Sequence, residues 1–504
     1  MPRVRRHEAV LIVALLSVLA IWWVWAALDP LPVIEDEASY VLQSRIFAGG
    51  HWTAPSPPAP EFFQQPHVLT VPAVASKYPP GNALLMALGS VFDTPALMPL
   101  LLTGISGALL FAMIGRLANG WVALFAWTAW IGDPINLQFR PSYLSEVTTG
   151  ALWLVAWWAL LQWRTGRRRR WLLALAATIG WGAITRPLTT LAFAVPVGVL
   201  VVRDVARDRL WRDLAFAVVL GTAVLGVIPF WSARTTGDWR LTPEQLYAHD
   251  YLPYDKPGFT VDRMPPARPL SPVNNYTYVG FFGEHVKHTP ARLPAIALDQ
   301  LKVVAHDEWS GPRLILVPFV LLGLTAISAE VAFALSCLLA LFVAYLGYAH
   351  WSHWTLYYFE GLPVLSVLAA LGVWKALGHL RPDRRSRLAA ACLLAVLSAH
   401  ELRVWHRSHA VGSAPRVAFR QLLSELPMRT AVIFVHYAPR LGPHASIVAN
   451  SPHLAEDPIW IVNDLGSRDP ELMRFSGPRI PLAFYEEDER LQIDRHLLER
   501  GPGR

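Results

Sequence analysis

The sequence predicts a mostly α protein: a polytopic membrane helix bundle of about eleven spans, followed by a small extracytoplasmic α/β domain. Three observations carry this reading. Of the 504 residues, 54% are hydrophobic and only 16% charged, with a mean hydropathy of +0.34. Such a composition excludes a soluble enzyme with an ordinary core. Long apolar runs recur as far as residue 404 and stop there. The basic residues between them gather on alternate loops, as the positive-inside bias requires.

The first run, Ala9 to Leu28, follows Met1-Pro2-Arg3-Val4-Arg5-Arg6, has Glu8 at its edge and contains no charge. About twenty apolar residues cross a bilayer as a helix. This run ends in Trp22-Trp23-Val24-Trp25 without a small-residue cleavage site, so it reads as a retained anchor and not a signal peptide. Further runs lie near 96–115, 120–137, 147–163, 171–185, 188–202, 213–231, 311–328, 331–349, 354–376 and 388–404. Arg116, Arg164 with Arg167 to Arg170, Arg203 to Arg212, and Lys375 with Arg381 to Arg387 all fall on the side of the N-terminus. That places the N-terminus in the cytoplasm.

The polar segments on the far side are then 29–95, 133–146, 232–310 and the tail. The first is rich in Pro and aromatics around Ala54 to Phe63, and Asn82 to Val91 reads as a short amphipathic helix on the membrane. The segment 232–310 carries Trp239, Tyr247, Tyr251, Tyr254, Tyr276 and Tyr278, residues that suit an interface or stack on a sugar ring. In the tail, Ala431 to Val435 and Ile459 to Val462 are short β-branched runs bounded by Pro, Gly and Asn, and a helix is expected near 415–425. Residues 1–405 therefore read as the transmembrane domain, with loops 29–95 and 232–310, and 406–504 as the α/β domain.

The formal charge of +7 sits between apolar runs, so topology explains it and no nucleic-acid partner is expected. Cys337 and Cys392 lie in apolar runs and read as buried small hydrophobes, with no disulfide framework. His350 and His353 have a spacing that metal sites use, but single interface histidines are commoner; no metal and no cofactor is expected.

The chemistry points to Ile34-Glu35-Asp36-Glu37-Ala38-Ser39-Tyr40, where three carboxylates follow the first span on the outer face. A carboxylate held there is placed to act as a base on something arriving at the membrane surface. Asp36-Glu37-Ala38-Ser39-Tyr40, followed by Gly50-His51-Trp52-Thr53-Ala54-Pro55, resembles the first extracytoplasmic loop of the GT-C membrane glycosyltransferases, notably the protein O-mannosyltransferases and lipid A aminoarabinose transferases. Lys77-Tyr78-Pro79-Pro80-Gly81, Thr185-Arg186-Pro187 and Tyr357-Tyr358-Phe359-Glu360-Gly361-Leu362-Pro363 are similar to further signatures of that family, in order and on the same face. Where family members have Gly-Pro-Arg before the paired tyrosines, this chain has His353-Trp354-Thr355-Leu356.

The resemblance implies transfer of a sugar from a polyprenyl-phosphate donor to a glycan, lipid or protein acceptor, in contact with membrane lipid. Asp36 matches the family's acidic position and would take the acceptor's proton, with Glu37 as its orienting neighbour. Lys77 and Arg186 would meet the leaving phosphate. Tyr40, Tyr78, Tyr357, Tyr358 and Glu360 would hold the substrate. Each has a plainer alternative. The plainer reading of Asp36 is a solvated loop carboxylate, of Lys77 a snorkelling side chain, and of Arg186, beside apolar residues, half of a structural salt bridge. Asp133 and Glu146 read as helix ends more readily than as ligands. The preference for Arg over Lys, with much Ala, Pro and Gly, suggests a GC-rich bacterium, hence a multi-pass inner-membrane protein with a periplasmic tail. A transporter and a noncatalytic envelope assembly protein are the rival functions.

Overall fold

The computed structural model describes residues 3–27, 29–379, 383–494 and 497. Met1, Pro2, Leu28, Arg381 and the side chains of Arg3, Arg5 and Arg6, which entered the topology reading, lie outside the described residues. Among the described residues, five helices are long and apolar enough to cross a membrane: His7–Val24, Leu97–Leu117, Pro187–Asp208, Trp211–Thr236 and Arg384–Ser424. A sixth arises if Gly311–Leu324 and Ala329–Tyr345, bent by 120° at their junction, count as one span. This is a multi-pass membrane protein, but eleven apolar runs do not become eleven such helices.

The reasons are local. The run 120–137 is cut at Gly132 into the helices Gly120–Ile131 and Pro134–Phe139. Asn119 opens the first by accepting from the N–H groups of Trp121 and Val122, and Asp133 caps the second by accepting from Asn136 at 2.8 Å. The run 354–376 begins with a single 3-10 turn, Thr355–Tyr358, and becomes helical only at Pro363–His379. Cys337 is buried as expected, whereas Cys392 is exposed; its helix presents it outward, as a bilayer-facing position allows.

The chain folds as two compact units. The first comprises Met1–Pro30, Ala96–Val227 and Thr289–Ala410. Its helices approach closely where side chains are absent: a Cβ on Gly372 would strike the carbonyl of Phe319, and one on Gly323 the carbonyl of Leu368. Backbone-to-backbone packing of this kind replaces the hydrophobic drive that helices lose in lipid. In the basic loops of this unit, Arg164 and Arg167 converge on Asp204 at 3.1 and 2.8 Å.

The second unit comprises Leu31–Pro95, Ile228–His288 and Val411–Arg504. The first segment contributes the helix Glu35–Ala48, the strands β1 (Ala54–Pro55), β2 (Val68–Leu69) and β3 (Ala73–Ser76) in antiparallel order β1-β3-β2, and the helix Gly81–Ser90. The tail contributes β4 (Ala431–His436), β5 (Ile459–Asn463), β6 (Ile480–Tyr485) and β7 (Arg490–Ile493) in the order β5-β4-β6-β7. The first three run parallel and β7 antiparallel. Alternation along β4 sends Val432 and Phe434 to one face and Ala431, Ile433 and Val435 to the other, and both faces are covered. Phe62 and Phe63 cover the first, so the tail's sheet shares a core with the segment 29–95. The helix expected near 415–425 is the end of Arg384–Ser424, and the boundary drawn near 405 falls inside it.

The segment 232–310 is largely helical, with Pro243–Tyr251, Pro272–Lys287 and Leu293–Trp309. Tyr247, Tyr251 and Tyr254 do not form an outer aromatic surface. They are buried with Leu69 and Leu252 in a core of their own, because Pro243–Tyr251 packs on β2; Trp239 and Tyr276 are exposed.

Candidate active site

The helix Glu35–Ala48 starts with three carboxylates in its first turn, where the helix dipole favours negative charge. They have different surroundings. Glu37 is buried and accepts from the backbone N–H groups of Val33 and Ile34 at 2.8 and 2.9 Å, closing the helix start on itself. Glu35 is buried against His444, while Arg416 donates to the carbonyls of Val33, His444 and Ser446 at 2.8 to 3.0 Å. Asp36 alone of the three is substantially open, its side chain 32% exposed.

Asp36 is nonetheless gripped. Tyr78 donates its hydroxyl to Oδ1, and Nε2 of His67 lies 3.4 Å from Oδ2. Burial alone would raise the Asp36 pKa. The His67 ring beside it, hydrogen bonds from His67 and Tyr78, and the charge of Lys77 outweigh that and hold it far below the ordinary carboxylate range.

The strand that brings Lys77 and Tyr78 here is pinned to the Asp36 helix. Ser39 and Ser76 share a hydrogen bond of 2.7 Å, and Gln43 accepts from the Ser76 N–H at 3.0 Å. Tyr40, one turn along from Asp36, stacks on Tyr78 at 4.8 Å. Lys77 is buried, 3.5 Å from Asp255, with its ammonium 5.1 and 5.0 Å from the ring centres of Tyr78 and Tyr247. A carboxylate, a cation and aromatic rings thus lie together in the second unit.

The remaining predicted residues gather in the first unit. Arg186 precedes the helix Pro187–Asp208, is paired with Glu146 and lies 3.8 Å from Glu360. It donates to the Tyr345 hydroxyl at 3.0 Å, and its guanidinium lies 5.6 Å from the Tyr357 ring centre. Glu360 accepts from the Thr149 hydroxyl. Tyr358 is buried, stacked on Phe342 at 3.9 Å. Sequence reasoning asked for an Arg186 partner and did not name Glu146. It missed His67, Asp255 and Tyr345 altogether, since single residues in loops and spans carry no local pattern, and it read Tyr247 as an interface or sugar-stacking aromatic.

Two solved structures share this architecture. One is ArnT from Cupriavidus metallidurans in the apo state, with a TM-score of 0.58 over 94% of this chain and 92% of that one, at 15% identity. The chain shares the fold of this ArnT. The same ArnT bound to undecaprenyl phosphate superposes with a TM-score of 0.53 over the same shares, at 16% identity. At such identities the likeness is one of fold. The arabinosyltransferase EmbB from Mycobacterium smegmatis matches 80% of this chain and 41% of its own, at 12% identity and a TM-score of 0.45, too low to bear on the assignment. No protein-family model and no curated protein matches the sequence significantly.

Proposed function

We propose that the protein is an integral membrane glycosyltransferase that moves a sugar from a polyprenyl-phosphate donor to an acceptor at the periplasmic face of a bacterial inner membrane. The observation that carries this is the Asp36 constellation: an accessible carboxylate clamped by Tyr78 and His67 beside the buried cation Lys77. The crystallised ArnT that shares the fold binds undecaprenyl phosphate, the class of lipid that the proposed transfer releases, which suits a site at the outer membrane surface.

In this reading the acceptor hydroxyl attacks the anomeric carbon while Asp36 takes its proton. The bond from that carbon to the phosphate oxygen breaks, and the polyprenyl phosphate leaves with the electron pair. Lys77 stabilises the charge that grows on the leaving phosphate, exchanging Asp255 for the stronger anion. Tyr40 and Tyr78 offer stacked rings beside Asp36 for the sugar. Glu37 keeps the helix start in place and acts on Asp36 through it. Arg186 uses its charge on Glu146 and Glu360, and its part is to order the start of the Pro187–Asp208 helix; Tyr357, Tyr358 and Glu360 support it there.

The test is mass spectrometry of lipid-linked glycans in a strain lacking the gene, complemented by wild type or Asp36→Asn. A polyprenyl-phosphate sugar should accumulate in the deletion and in the Asp36→Asn strain, and disappear with wild type. Identical lipid-linked glycans in all strains contradict the proposal.

A further inference from the structure

Among the groups around Asp36, His67 has the most constrained backbone. Its φ of 66° lies in the left-handed region that residues with a Cβ rarely adopt. Three elements hold it there. Its N–H donates to the Tyr247 hydroxyl at 2.9 Å, and its carbonyl accepts from the Ser39 hydroxyl and the Lys77 N–H, each at 2.9 Å. Ser39 belongs to the Asp36 helix, Lys77 follows β3, and Tyr247 lies on Pro243–Tyr251. The outcome is an imidazole 14% exposed, with Nε2 on Asp36. Its Nδ1 is buried with no hydrogen-bond partner among the described residues. Nε2 is therefore the ring nitrogen turned toward the carboxylate.

We infer that His67 is a positioning residue for Asp36: with Tyr78 on the other oxygen, it fixes the carboxylate and sets its affinity for the acceptor's proton. This deepens the reading of Asp36 as the base and rests on it. Other charges surround the pair. Lys77 is held by Asp255, which also faces His285 at 3.7 Å, and Glu244 lies near Lys77. Behind the helix start are Glu35 with His444, Glu37 and Arg416. Among the described residues, His67 and Tyr78 reach the two Asp36 oxygens.

The experiment is carbodiimide modification of Asp36, read by peptide mass spectrometry on the full chain in nanodiscs between pH 4 and 6. The carboxyl oxygen adds to the central carbon of the carbodiimide as the carboxyl proton passes to its nitrogen, so the rate reports proton affinity without any sugar transfer. His67→Gly accepts the left-handed backbone and keeps the loop while removing the imidazole. His67→Gln keeps similar bulk and returns a neutral N–H. A shift of about one pKa unit on losing the hydrogen bond means a rise of about tenfold in the Asp36 rate for His67→Gly, with most of it reversed in His67→Gln. An unchanged rate in His67→Gly, or an equal rise in both variants, overturns the inference. Either result leaves Asp36's own role untouched, because that role is tested by transfer.

Discussion

Tyr78 donates its hydroxyl to Asp36 across 42 residues of chain. That bond ties the second family-like motif to the first. It places the cation Lys77, the next residue back from Tyr78, beside the carboxylate at the start of the Glu35–Ala48 helix. Separate roles for the base and the cation have separate consequences.

Removing the cation should weaken the donor. Lys77→Gln is expected to lower affinity for undecaprenyl phosphate by about tenfold or more, the size of one charge-assisted contact, while the protein remains folded in nanodiscs. Native mass spectrometry of lipid occupancy measures this. Occupancy equal to wild type would make Lys77 a structural partner of Asp255 and nothing more.

Arg186 should behave differently. Its side chain is only 9% exposed and faces Glu146 and Glu360, so Arg186→Gln leaves two buried carboxylates without their cation. Breaking such a pair costs about 3–5 kcal/mol. The expected result is a lower melting temperature and poor expression, with normal lipid occupancy in the folded fraction. Normal stability with lost occupancy would return Arg186 to the donor phosphate.

The Glu35–His444 contact predicts a dependence on pH. Burial pushes the His444 pKa down, but the hydrogen bond and charge of Glu35 overcome it and leave it raised. A folded pKa above the unfolded one gives stability that is full below about pH 6.5 and is lost as pH rises through the folded value. The melting temperature should therefore fall as pH is raised from 6 to 8.5, and His444→Gln should flatten part of that fall. His436, raised in the same way by Asp464, contributes to the remainder. Identical slopes in wild type and His444→Gln would show the contact to be absent in solution.

Topology is tested by single cysteines at Ser56 and Ser451, both in the second unit, in a background lacking Cys337 and Cys392. Each should react with an impermeant thiol reagent in intact spheroplasts. Labelling only after lysis would place that unit in the cytoplasm and remove the periplasmic site.

How far the sequence reached depends on the range of the signal. The helical bundle was legible because apolar runs are local, and β4 and β5 because their β-branched cores stand between Pro, Gly and Asn. The count of about eleven spans is not confirmed where one residue interrupts a run, as Gly132 does before Asp133. Hydropathy does not show whether a helix survives such a break. Asp36, Lys77 and Tyr78 stood out through short motifs, and the structure groups them. His67 and Asp255 could not be found, since their roles exist only once distant loops converge. The tyrosines at 247, 251 and 254 misled for the opposite reason: an aromatic in a polar segment reads the same whether it meets solvent or a small core.

The most direct measurement is single-turnover sugar transfer by Asp36→Asn in nanodiscs, run beside donor binding on the same preparation. Asn keeps the shape of the side chain but does not take a proton at neutral pH. The account predicts near-normal occupancy of the polyprenyl-phosphate sugar and transfer slower by at least about a hundredfold, the low end for a positioned acid–base group. Transfer close to the wild-type rate by a folded, donor-loaded Asp36→Asn protein would contradict it.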